Sequence, residues 1–79
     1  MNTTTTETYR LSSADWIYTP NLVRLAVAEF PFNPEWAVKL FINGFSLSRE
    51  VATALVSRAI PYQVIDETVV FEYPANPDL

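Results

Sequence analysis

The only two carboxylates adjacent in this sequence are Asp66 and Glu67, and neighbouring carboxylates are the first residues to question for acid–base chemistry. Tuning such groups takes burial or a close like charge within a cleft. Asp66-Glu67 lies between two apolar runs, at the tip of a predicted hairpin, where solvent supplies no burial. The other residue types that carry chemistry are missing or isolated. There is no histidine and no cysteine, which removes the commonest general base at neutral pH, the commonest metal ligands and the thiolate nucleophile. The serines therefore have no histidine to activate them. Lys39 is the one lysine and Gly44 the one glycine, and a single glycine cannot build a glycine-rich phosphate loop. The expectation is a protein that is not an enzyme, binds no metal and needs no cofactor.

The elements that hold these residues must fit within 79 residues, enough for a single domain spanning 1–79, with residues 1–8 and 75–79 expected as tails. Apolar residues make up 49% of the chain and aromatics 14%, which provides a core without disulfides or a metal and sets the chain apart from disordered sequences. No apolar run reaches the length of a membrane span, and the N-terminus lacks the basic and apolar regions of a signal peptide. With cysteine absent, these features favour a cytoplasmic location, in the host cell if the chain is phage-encoded. Nine carboxylates against five basic residues give a net charge of −4. That balance argues against direct nucleic-acid binding and against docking on an anionic membrane, and it permits a partner with a basic surface.

Proline and glycine divide the chain. Thr19-Pro20 and Asn33-Pro34 each place a capping residue before a proline at the first helical position. They predict helices over 20–30, with Leu22, Leu25, Ala26 and Phe30 inward, and over 34–43, with Gly44 as a left-handed C-terminal cap. Ser46 or Ser48 caps a third helix running to residue 58 or 59, with Val51, Ala52, Leu55, Val56 and Ala59 as its apolar stripe and Pro61 as its stop. Residues 62–73 read as a hairpin. A two-residue turn at Asp66-Glu67 pairs Val64 with Val69 and Tyr62 with Phe71, placing Tyr62, Val64, Val69, Phe71 and Tyr73 on one apolar face. Neither turn residue is glycine or asparagine, which leaves a longer loop open. Tyr9 to Ser12 is a candidate third strand, and Asp15 to Tyr18 fits a strand or a helical turn. The fold class expected is α+β, three helices packed on a small antiparallel sheet with a C-terminal β-hairpin.

The stretch from Phe45 to Glu72, FSLSREVATALVSRAIPYQVIDETVVFE, resembles the winged helix-turn-helix of excisionases and MerR-type regulators. In those, a serine-capped recognition helix leads through an Ile-Pro-Tyr-like segment into a hairpin wing. The resemblance implies Leu47 to Arg58 as the recognition helix, Ala59 to Val64 as the crossing and Thr68 to Tyr73 as the second strand of the wing, and hence a small DNA-binding regulator. The chain departs from that pattern in its wing, which carries Asp66, Glu67 and Glu72 and no cation. The segment from Trp36 to Leu55 also resembles part of a ubiquitin-associated domain, which would continue into a helix where this chain turns to a hairpin. As a whole-chain profile, the sequence resembles the small acidic inhibitors of phages and mobile elements, anti-CRISPR proteins among them. That likeness implies a protein partner whose positively charged nucleic-acid channel is blocked by an acidic surface.

The expected function is accordingly that of a non-enzymatic inhibitor or adaptor. Its candidate partner-binding residues are Glu50, Asp66, Glu67 and Glu72, with Tyr73 and Trp16 as aromatic anchors; aromatics contribute buried area and carboxylates select a basic patch. The alternatives are an excisionase-like DNA-binding regulator and a self-associating subunit, such as a homodimer, joined through the face bearing Ile65 and Val70.

Overall fold

A computed structural model of the protein describes residues 6–15 and 17–74. Its elements, in order, are β1 (Thr6–Leu11), α1 (Thr19–Glu29), α2 (Pro34–Phe45), α3 (Arg49–Val56), β2 (Gln63–Ile65) and β3 (Thr68–Pro74). The three strands form one antiparallel sheet in the order β1-β3-β2, and β2 and β3 form the C-terminal hairpin. This is the α+β class that the alternation of helical and strand periodicities predicts. The candidate third strand exists, and it begins at Thr6. Thr6, Glu7 and Thr8, expected as part of a tail, pair with Pro74, Tyr73 and Glu72. Residues 1–5 and 75–79 of the expected tails lie outside the described residues, as does Trp16.

Val64 stands opposite Val69 as the apolar alternation predicts, and the ladder stops at Gln63, short of the expected Tyr62–Phe71 pair. Val69 and Phe71 are buried on the inner face of the sheet. Across β1, Tyr9 stands opposite Phe71 and the rings stack, with centroids 5.1 Å apart and planes within 4°. Helices cover this face only. The outer face presents Thr8, Arg10, Gln63, Ile65 and Glu72, all exposed. Val64 shares the inner face with Val69 yet is 49% exposed, because β2 is a three-residue edge strand that the helical layer does not reach.

The helices close the core with Val23 and Ala26 of α1, Phe41 of α2, and Val51, Ala52, Leu55 and Val56 of α3. Ser48 caps α3, its Oγ accepting from the N–H of Val51 at 3.2 Å, and four of the five expected stripe residues are buried. The fifth, Ala59, is exposed, since α3 stops at Val56 and the chain turns away at Arg58, whose φ is +69°. The reversal therefore precedes Pro61, and α3 is eight residues long.

Two other caps differ from expectation. The left-handed residue that ends α2 is Ser46, with φ of 60°, and Gly44 lies inside the helix. The N–H groups of Ser46 and Leu47 both reach the carbonyl of Phe41, which lets the buried Leu47 fold back on the helix end. At α1 the cap position is Tyr18, and Thr19 is the first helical residue. The Thr19 hydroxyl is wholly buried and donates to the carbonyl of Ser12 at 2.9 Å. Pinning Thr19 inward turns the helix so that Val23 and Ala26 face the core. Leu25, expected inward, is 49% exposed.

Candidate functional site

Among the described residues the hairpin turn is where two successive residues are left-handed. Asp66 and Glu67 have φ of 51° and 66°, so the chain makes the tight type I′ turn that twisted hairpins favour, and the longer loop is not used. That turn suits Asn-Gly or Asp-Gly, so Asp66 is at home in its first central position, whereas Glu67 stands where glycine is favoured and its Cβ comes close to the following carbonyl, at roughly 1–2 kcal/mol. Both side chains are exposed.

The turn is not free at its base. Ser13 Oγ donates to the carbonyl of Glu67 at 2.6 Å and accepts from the N–H of Thr19 at 2.9 Å. One hydroxyl thus joins the end of β1, the start of α1 and the hairpin turn. The adjoining loop bridges Ala14 to Ile17 and places Asp15 in the same surface groove as Ser13, Tyr18 and Glu67. Asp15 is exposed. It joins Asp66 and Glu67 at this end of the sheet, an addition that sequence reasoning missed. Asp15 sits in the segment whose periodicity is ambiguous, and only the pairing of β1 with β3 brings that loop beside the turn.

The other nominated residues lie elsewhere. Glu72 is exposed on the outer face of β3 opposite Thr8, about 16 Å from Glu67 at the rise of a strand. Glu50 is exposed in the first turn of α3, a position the helix dipole favours for a carboxylate. Tyr73 is half-buried and packs against the core, as its phase with Val69 and Phe71 requires; it is not the exposed anchor expected of it. Beyond Tyr18, 46% exposed at the cap of α1 in the groove that holds Asp15 and Glu67, the strongly exposed aromatics are Phe32, 84% exposed in the link between α1 and α2, and Trp36, 40% exposed in the first turn of α2. Neither stood out in the sequence, because aromatic content alone does not separate a core ring from a surface one.

Part of the charge on the helical side is matched, while Arg24, Glu29 and Arg58 make no ion pair among the described residues. Glu35 lies 3.2 Å from Arg49 and 4.0 Å from Lys39, and Arg24 donates to the side chain of Asn21. Among the described residues Asp15, Glu50, Asp66, Glu67 and Glu72 make no ion pair, and no group of three or more acidic side chains is placed to hold a metal ion. Among the described residues Tyr9 alone has a resolved shift in acidity. Burial raises its pKa above 10.0, with the hydrogen bond and negative charge of Glu7 and then Tyr73 adding to it.

Fold and surface together define a two-layer α+β domain with an acidic, exposed hairpin turn anchored to the helical layer. Comparison of the chain with family models, curated proteins and solved structures finds no match. Among the described residues no helix is long and apolar enough to cross a membrane.

Proposed function

We propose that the chain is a non-enzymatic binding protein, an inhibitor or adaptor whose acidic hairpin tip covers a basic, nucleic-acid-binding surface of a protein partner, as anti-CRISPR inhibitors do. One observation carries the reading. Beside Asp66, a second carboxylate, Glu67, occupies the left-handed turn position where glycine is less strained. A position that departs from its local conformational rule without a compensating contact for its side chains is where function is to be sought. Asp15 beside the turn adds a third carboxylate at that end of the sheet, Glu72 shares the outer face with Arg10, and the cations Lys39 and Arg49 are engaged by Glu35. The field of the three carboxylates accelerates encounter with a basic patch and sets its orientation.

The excisionase-like alternative draws less support. The tip that would grip phosphate is acidic and tied to Ser13, and Arg49 of the would-be recognition helix bonds Glu35. The test adds purified protein to nucleic-acid-binding proteins with basic channels, CRISPR effector complexes among them, and measures release of a labelled nucleic acid. Release is expected from one such protein, and the double variant Asp66→Lys, Glu67→Lys should lose it while its stability changes by only about 0.5 kcal/mol. Full activity in that variant would count against the acidic tip. Retardation of bare duplex DNA by the chain itself, weakening steeply with salt, would favour the DNA-binding alternative.

A further inference from the structure

The two edges of the sheet are protected unequally. Exposed β1 carries Glu7 and Arg10, one on each face, the kind of charge that keeps an edge strand from pairing with other chains. Edge strand β2 carries none. Its residues are Gln63, Val64 and Ile65, all exposed, with Val64 at 49% and Ile65 at 51% on opposite faces. The type I′ turn makes Ile65 and Thr68 the hydrogen-bonded pair that closes the hairpin, so the ladder bonds of β2 fall on Ile65 and Gln63. Val64 then directs its N–H and C=O to the open edge. At the turn end of that edge stand the exposed Asp66 and Glu67.

We infer that the open edge of β2 takes up an extended segment of the protein partner by strand addition, antiparallel to β2, the segment bearing arginine or lysine at its N-terminal end followed by alternating apolar residues. The antiparallel sense puts that N-terminal end beside Asp66 and Glu67, where charge complementarity orients it. Val64 supplies the backbone bonds, and Val64 and Ile65 give one apolar contact on each face of the added strand. This inference rests on the reading of the acidic tip as the partner-binding feature and adds what the partner presents to it.

The probe is a synthetic, fluorescently labelled peptide of two arginines followed by alternating valine and threonine, titrated into the full chain. Saturable binding is expected, with the Val64 amide gaining protection from hydrogen exchange. N-methylating the peptide on the side facing β2 should weaken binding by about tenfold or more, as loss of backbone bonds demands. Val64→Pro should do the same, since its N–H serves no bond within the hairpin. If that variant fails to fold, the methylated peptide decides the matter. Equal binding by the methylated peptide, or binding without protection at Val64, overturns strand addition even where lysine substitution at the tip still weakens binding and the acidic-tip reading survives. Conversely, strand pairing that is indifferent to replacing the two arginines by glutamates overturns the charge-directed segment and the acidic tip together. Concentration-dependent dimers in sedimentation, abolished by Val64→Pro, would make the occupant a second copy of this chain and overturn the assignment to a partner.

Discussion

Ser13 and Glu67 are 54 positions apart in the chain and 2.6 Å apart in the fold, hydroxyl to carbonyl. Because the same Ser13 oxygen accepts from the N–H of Thr19 at 2.9 Å, the acidic turn is held against the start of α1 and does not swing as a detached wing. Ser13→Ala should cost roughly 1–2 kcal/mol for two lost hydrogen bonds, lowering the melting temperature by several degrees. Amide exchange should accelerate at Thr19 and in the turn, and unchanged exchange there would mean that the link contributes nothing.

The turn itself should be improvable. Replacing Asp66→Asn and Glu67→Gly gives residues suited to left-handed backbone and should raise stability by about 1 kcal/mol, read from a denaturant midpoint at constant slope. The same variant should lose the partner-directed activity of the tip, since both carboxylates go. A variant that is stabler and equally active would show that the two carboxylates serve no binding role.

Gly44 is helical, and a Cβ built there meets nothing within 4 Å. Gly44→Ala should therefore stabilise the protein by roughly 0.5–1 kcal/mol by restricting the unfolded chain. Were Gly44 the left-handed cap of α2, the same change would destabilise, so the sign of the shift tests the helix end directly.

Phe71 is 3% exposed and stacks on Tyr9. Phe71→Ala should cost about 3–5 kcal/mol, a large share of the stability of so small a domain. Thermal unfolding monitored by circular dichroism should show a melting temperature far below that of the parent or no cooperative transition at all.

Tyr9 provides a pH signature. Its pKa is raised above 10.0 in the folded protein, by burial first and by Glu7 second, so the folded state favours the neutral phenol. The resulting stability is complete below the unfolded value of about 10 and is lost as pH climbs through the higher folded value. Unfolding followed between pH 9 and 12 should show an alkaline loss that Tyr9→Phe diminishes, with the ring stack kept.

Patterns spanning a few residues decided much of this molecule in advance. Period-two alternation set Val69 and Phe71 inward and with them the hairpin register, since a slip of one residue would expose both. A serine cap at 46 or 48 and the 3.6-residue stripe located the start of α3 to within two residues and its buried face; the structure puts the cap at Ser48. The exposure of Asp66 and Glu67 followed from the same register.

What local pattern left open depended on contacts between distant segments. Thr19 has the composition of a cap, but the carbonyl of Ser12 draws its hydroxyl inward, and the inward face of α1 rotates with it. Val64 has the phase of a core residue, but the helical layer ends before β2, so half of it meets water. Asp15 gains its place beside Glu67 only when β1 pairs with β3. Periodicity fixes the direction in which a side chain points along its own element; whether anything stands there to cover it, bond it or share its charge is settled by where the other elements come to rest.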